Sequence, residues 1–315
     1  DELSGFGALG CFEENPSITI AREYIIKDSD KKLEKVFEES AGRGHGSVLD
    51  QNAFIYSIEN ITRAATLQLC LPSYLSHLQQ SLRRATATRA FYVPQAIKES
   101  PLFNEAKEIQ YDAFTNYARW GEIDKPEKER SDKALPLEDS RYPLPLSTKT
   151  NIQTAGDARE LTHLQMMNKQ GEVPSFVQEP VNTMIDRAIS FAPKLFKERA
   201  GNRELLSYYP SAQLYSSTNE TMNNLVEDHD YPNKTIMIGH IGLDCLDERS
   251  LERAVKRRDE AELSNLKHVH FEFLTYMSLA AYHQAARQGT WDHSLTSIYD
   301  VAEVGAAHTK VPPKF

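Results

Sequence analysis

One segment constrains the fold of this chain more than any other, the run HGSVLDQNAFIYSIENITRAATLQLCLPSYLSHLQQSLRR from His45 to Arg84. Residues Asn52 to Ile58 alternate, with Phe54, Tyr56 and Ile58 on one side, which predicts a half-buried strand. Asn60 or Thr62 can then cap a helix whose Ala64, Ala65, Leu67, Gln68 and Leu71 give it a small-residue face for close packing. Pro72 is expected to kink or restart that helix, because proline removes a backbone donor. Its far end is expected to present Gln68, Ser76, Gln79, Ser81 and Arg83, polar groups suited to holding an anion. A strand feeding directly into a polar-ended helix implies a mixed α+β architecture, a small sheet flanked by long helices.

Composition narrows what such an anion site can serve. With 315 residues the chain is long enough for one large or two modest domains. Lysine plus arginine number 36 against 45 acidic residues, a net charge of -9, so no global field draws nucleic acid or an anionic membrane. Any phosphate must be held locally. Cys11, Cys70 and Cys245 lie far apart without a CxxC pair, which excludes a disulfide framework or a zinc knuckle and points to a reducing, cytoplasmic setting. No apolar run approaches the ~20 residues of a membrane span, and no His/Asp/Glu spacing suggests a metal. The chain opens at Asp1 and stops at Phe315 after Val311-Pro-Pro, and is expected to be a piece of a longer protein.

Taken in order, SITIA (Ser17 to Ala21) reads as a strand and Ser29 to Ser40 as a helix with Leu33, Val36 and Phe37 on one face. The Gly42-to-Gly46 run ends it. Such a run permits close backbone approach to a ligand, and equally serves as a C-cap and turn. A helix is expected over Phe103 to Trp120, then a charged, proline-punctuated connection over Ile123 to Glu138. From Ser147 the pattern gives strand, turn and helix, with Asp157 as cap and Ala158, Leu161, Leu164 and Met167 as the apolar face. Another helix is expected over Val181 to Glu198. Met166 and Met167 suit core filling, and Trp120 and Trp291 suit core or interface. The Arg83, Arg84, Arg89, Phe91 and Tyr92 cluster has an RNA-binding look that the acidic balance opposes.

Residues 206–233 are polar and read as a linker between a first unit, 1–205, and a second, 234–315. The second opens with a strand at Lys234 to Ile238 and a charged helix at Glu248 to Glu262. A shift of 216 positions lays Ala64, Ala65, Gln68 and Ser81 on Ala280, Ala281, Gln284 and Ser297. An internal repeat, its second copy incomplete, accounts for this order.

The segments GHGS..DQ.AF, RAA..Q, S....S.R and N..T...ARELTH together resemble the flavin-dependent thymidylate synthases (ThyX), which carry GHxSxxEH, RHRxxSxNxxSxRY and NARELLH motifs. The resemblance spans about residues 15–200 and, more weakly, 234–300. It implies reductive methylation of dUMP, with FAD as cofactor, NADPH as reductant and methylenetetrahydrofolate as carbon source, and it requires no protein nucleophile. His45, Ser47 and Asp50 fall on flavin-contacting positions and Ser76 is placed with them. Gln68, Gln79, Ser81 and Arg83 fall on dUMP-pocket positions. Ala158, Arg159, Glu160, Leu161 and His163 match ARELxH.

The departures are concentrated in the arginines. Leu71, Pro72 and Ser73 replace RHR, Leu78 replaces an asparagine, Arg84 a tyrosine, and Asn151 and Asn168 stand where arginines are usual. In the second copy Arg287 falls on the first RHR arginine, while Gln288 and Gly289 replace the others, Lys267 a flavin-contacting glutamate and Tyr299 the substrate arginine. Leucine and serine offer neither the charge nor the paired donors of guanidinium. Family sites are assembled between subunits, so two tandem copies are expected to stand in for two subunits as a pseudo-oligomer, alongside a homo-oligomer of whole chains. Gln68, Gln79, Ser81 and Arg83 would then meet Arg287 around one dUMP. The alternative is a flavin- or nucleotide-binding relative without turnover, or a scaffold that kept only the fold.

Overall fold

The computed structural model describes residues 1–10, 13–15, 17–87, 89–169, 172–200, 214–215, 224–225, 235–242, 247–257, 263, 269–287, 291 and 293–299. Helix α1 (Glu2–Leu9) precedes a helical turn at Ser17–Ile20, which runs through a π-helical turn, Ala21–Ile25, into α2 (Ile26–Glu39). The strand expected at Ser17 to Ala21 is therefore absent. Its alternation is too short to set a period, and Ile20 is fully buried within a helical segment.

Strand β1 (Phe54–Thr62) is longer than its alternation suggests. A register break between Ile58 and Ile61 lets it continue, with Asn60 at φ 57°, a conformation that asparagine tolerates. Asn60 is thus spent on the bulge, its N–H donating to Asn151 Oδ1 at 3.0 Å. Capping falls to Thr62, whose Oγ1 accepts from the Ala65 N–H at 3.1 Å. The capped helix, α3 (Arg63–Leu69), stops at Cys70, and after Pro72 the chain resumes as strand β2 (Ser76–Gln79). The expected helix end carrying Ser76, Gln79, Ser81 and Arg83 is corrected accordingly. Proline breaks the helix outright, and the residues beyond it pair with a strand.

Helix α4 (Phe103–Gly121) leads to strand β3 (Lys149–Gly156), then α5 (Ala158–Asn168), with Asp157 Oδ1 accepting from the Glu160 N–H at 2.9 Å. The expected helix over Val181 to Glu198 is two, α6 (Ser175–Phe191) and α7 (Pro193–Ala200). Ala192 turns at φ -133° between them and Pro193 starts the second, where a missing N–H costs nothing.

β3 is the central strand of an antiparallel sheet ordered β1-β3-β2. Helices α3, α5 and α6 supply Leu67, Leu69, Leu161, Leu164, Val181 and Ile185 to a core shared with Ile61 and Ile152. The other face is open, with Leu78 75% and Ile55 69% exposed.

Further on, β4 (Thr235–Ile241) pairs antiparallel with β5 (His270–Thr275), with α8 (Glu248–Arg257) between them in sequence and α9 (Leu279–Ala285) following. Tyr282 and Ala286 join the same core as α3 and α5, as do Leu214 and Tyr215. The fold is mixed α+β. β5 and α9 begin 216 positions after β1 and α3. Ser278 Oγ accepts from the Ala281 N–H at 3.2 Å, as Thr62 does from Ala65. Ser297 Oγ accepts from the Tyr299 N–H at 3.2 Å, and Ser81 Oγ from the Arg83 N–H at the same distance. Lys267, Gln288, Gly289, Cys11, Cys245 and most of 206–233 lie outside the described residues.

Asn52 locks α5 against the turn before β1. Its Oδ1 accepts from the Ala158 N–H at 2.8 Å, and its Nδ2 donates to the Leu49 carbonyl at 2.7 Å and to Ser4 Oγ at 3.1 Å. Asn52→Ala is expected to lower stability by about 1–3 kcal/mol by orphaning these partners. Asn52→Asp, which keeps the acceptor, should lose less; the urea midpoints of the three proteins check this.

Candidate functional site

Thr62 and the β1 bulge fix where α3 begins, and hence where Arg63 sits. The Arg63 N–H donates to the Thr148 carbonyl at 3.0 Å, and its Nη2 reaches the Gln80 carbonyl at 3.5 Å, beyond the end of β2. Its Nε is buried with no hydrogen-bond partner among the described residues. One turn on, the Thr66 hydroxyl donates to the Arg63 carbonyl at 2.9 Å and accepts from Gln79 Nε2 at 3.1 Å. The same oxygen lies 3.4 Å from His283 Nε2, on α9. Arg287 Nε in turn donates to the His283 carbonyl at 3.1 Å. A continuous polar line therefore runs Gln79, Thr66, His283, Arg287, from β2 through α3 to α9.

The electrostatics of this line are one-sided. Burial holds the Arg63 guanidinium down to about 10, and Arg141 and Arg287 add to the effect. The His77 ring is pushed down to about 4 by burial first and Arg287 second, with the Leu69 carbonyl opposing. His283 is driven to about 3, by burial and then by Arg287, Arg63, His77 and Arg141. No carboxylate is among the charges acting on these three groups among the described residues. Arginines gathered around neutral imidazoles, with no carboxylate acting on Arg63, suit an anion. Cys70, reduced and buried beside them, has its thiol raised to about 12 by burial, which leaves it inert as a nucleophile at neutral pH.

Of the residues expected around dUMP, Gln79 and Arg287 are brought together through Thr66 and His283. Gln68 is buried in α3, its Nε2 without a hydrogen-bond partner among the described residues. Ser81 and Arg83 lie in the turn after β2. Arg83 is exposed and acts on the cluster as a charge felt by Arg141, whose own guanidinium is lowered chiefly by burial. No hydrogen bond joins Ser81 or Arg83 to Arg287 among the described residues.

The residues expected to contact flavin gather elsewhere. His45, Ser47 and Asp50 are exposed on the turn that leads to β1, where Asp50 Oδ2 accepts from Arg159 Nη1 at 3.1 Å. A Cβ on Gly46 would stand 3.1 Å from Arg159 Cζ, so glycine lets this turn lie against the guanidinium. Ser76 pairs with Ala155, next to the start of α5, on the open face of the sheet. Strand alternation puts it on the side opposite Gln79. Glu160, buried in α5, links this end to β2. Its Oε2 accepts from the Tyr74 N–H at 3.2 Å, and its Oε1 is 3.0 Å from His163 Nδ1.

Arg63, Thr66, Arg141 and His283 were not among the expected site residues. Arg63 opens the RAA..Q segment, but none of the four carries a pattern that marks it as a site residue. The basic aromatic cluster is absorbed by packing, since Arg89 lies 4.6 Å over the Tyr111 ring and Tyr92 stacks on Phe176 at 5.2 Å. Among the described residues no helix is long and apolar enough to cross a membrane.

The family model described as "Thymidylate synthase complementing protein" matches residues 8–194. A flavin-dependent thymidylate synthase of Pyrococcus furiosus is 30% identical over 147 residues, 45% of this chain and 56% of that protein. One from Sulfolobus acidocaldarius is 28% identical over 175 residues, 55% of this chain and 64% of that protein. The chain thus spans less than two thirds of these relatives' length. Among solved structures, a UMP/dUMP methylase PolB from Streptomyces cacaoi bound with 5-Br dUMP aligns with a TM-score of 0.49 and 16% identity, covering 63% of this chain and 89% of the other.

The buried histidines make stability depend on pH. Their folded values lie below the ordinary 6.5, so the neutral rings add nothing above about pH 6.5. As pH falls from there towards 4 the unfolded chain takes up protons that the fold refuses. Stability then drops by up to about 1.4 kcal/mol per pH unit for each ring. Urea unfolding at pH 7, 6 and 5 should show His283→Gln falling less steeply than the wild type; equal slopes would contradict this burial.

Proposed function

The chain belongs to the thymidylate synthase complementing protein family, and on that footing we propose that it binds dUMP and takes part in its flavin-dependent methylation to dTMP. The observation that carries this reading is the group of Arg63, Arg287 and two buried histidines linking α3 and β2 to α9, on which no carboxylate acts among the described residues. A nucleotide phosphate is the anion such a family would bring there. Gln68, Gln79, Ser81, Arg83 and Arg287 are the proposed dUMP residues, Arg83 guarding the outer edge beside Arg141.

For FAD the donor set at the other end of β3 fits. The Ser47 hydroxyl, the His45 ring and the half-exposed Arg159 offer donors to a diphosphate on a turn that glycine keeps close, and Ser76 extends the polar surface. Bound there, FAD would supply the hydride, with NADPH as reductant and methylenetetrahydrofolate as the source of carbon. The chain's own part is to hold the anion, orient the base and keep water from it. No thiol of low pKa is asked to attack, in keeping with the inert Cys70.

The second unit, 234–315, is proposed as a diverged copy of the first, 1–205, joined by 206–233, so that one chain forms a pseudo-oligomer. The coincident starts of β1 with β5 and α3 with α9, and the matched hydroxyl caps, support it. Association of whole chains into a homo-oligomer remains part of the same proposal, as does a reducing, cytoplasmic setting. A second reading, nucleotide binding without turnover, is favoured by one observation: Leu71 and Pro72, standing where the first arginine and the histidine of RHR are usual, are buried and offer no charged donor to a phosphate.

Purified protein is expected to be yellow, with a flavin spectrum, and to oxidise NADPH faster when dUMP is added. A flavin spectrum with no response to dUMP would select the second reading, and a colourless protein that cannot be loaded with FAD would reject both. Arg287→Ala should weaken dUMP binding about tenfold to a hundredfold by calorimetry, the worth of a charge-assisted hydrogen bond.

A further inference from the structure

The arginines missing at Leu71-Pro72-Ser73 leave the nucleotide reading short of a phosphate-binding fork in the first unit, and the structure shows another one nearby. Arg63 begins α3, and its side chain runs past Thr66 to the Gln80 carbonyl, next to Gln79. Its Nε is buried without a hydrogen-bond partner among the described residues, and burying a charged donor unpaired is costly. Arg287 approaches from α9, near enough for its charge to help lower the Arg63 guanidinium. Its Nε is anchored on the His283 carbonyl, and its terminal nitrogens make no hydrogen bond among the described residues.

We propose that Arg63 and Arg287, on either side of the Thr66–His283 contact, form a two-guanidinium clamp for the phosphate of a nucleoside monophosphate. The proposal rests on the dUMP reading and assigns Arg63 a role that the sequence did not suggest. The charge count fits. Both histidine rings are held neutral near pH 7, while Arg63, even lowered to about 10, stays protonated. Two fixed positive charges then face a phosphomonoester, which carries close to two negative ones. Planar forks suit phosphate oxygens better than a lone carboxylate would need. Gln79 Nε2 donates to the Thr66 hydroxyl at 3.1 Å, which fixes the polar groups beside the Thr66–His283 contact.

The test is calorimetric titration of the whole chain with dUMP, deoxyuridine and inorganic phosphate, on the wild type, Arg63→Met and Arg63→Lys. Arg63→Met is expected to weaken dUMP about tenfold to a hundredfold, the worth of a charged hydrogen bond. Deoxyuridine, which lacks the phosphate, should bind the wild type and Arg63→Met alike. Arg63→Lys keeps the charge without the fork and should lose several-fold, a readout that survives if Arg63→Met does not fold. Equal dUMP affinity in wild type and Arg63→Lys, or equal losses for dUMP and deoxyuridine, would overturn the clamp and leave the nucleotide reading standing. Binding of inorganic phosphate that Arg63→Met abolishes, with no binding of dUMP, would keep the clamp and reject the nucleotide. A wild type that binds neither phosphate nor dUMP overturns it.

Discussion

The contact of Thr66 with His283 is the joint on which this structure turns. The two residues lie 217 positions apart, yet their side chains meet at 3.4 Å, with both buried. Around that joint the hydroxyl gathers Gln79 from β2 and the Arg63 carbonyl, while the histidine's own carbonyl anchors Arg287. Tyr282 and Ala286, packed in the core with Leu67 and Leu161, hold α9 in place beside it. Tyr215 strengthens the union from a third direction, its hydroxyl donating to the Ala64 carbonyl at 3.1 Å within the core.

Burial and repulsion work together there. Removing arginines and histidines from water lowers their affinity for protons, and each neighbouring cation lowers it further. The fold tolerates this because two of the groups are histidines, which can discharge, whereas an arginine cannot. The arrangement is therefore strained electrostatically in the direction an anion relieves. At the other end of β3 the logic is reversed. Arg159 already has Asp50 as an ion-pair partner there, and the His163 ring lies 3.0 Å from Glu160.

Sequence reasoning read the locally encoded parts well. The strand, Asp157 cap and apolar face around β3 and α5 follow from short-range rules, and the structure has them at those residues. β5 and α9 begin 216 positions after β1 and α3, the same offset at which four residues coincide in the sequence. What failed depended on tertiary context. SITIA alternates as a strand does but is packed as helix, and the stretch after Pro72 looks like more helix until β3 is there to pair with it. Arg63, half-buried with its Nε inside, carries no polar pattern of its own, and Arg141 comes near only through the loop that leads to β3.

One anion held jointly by α3 and α9 is the central proposal. A crystal structure of the full chain with dUMP tests that directly. The phosphate is predicted to lie within hydrogen-bonding distance of the guanidinium groups of both Arg63 and Arg287, beside Thr66. A phosphate bound by Arg83 alone, or beside Arg159 at the opposite end of β3, would contradict it.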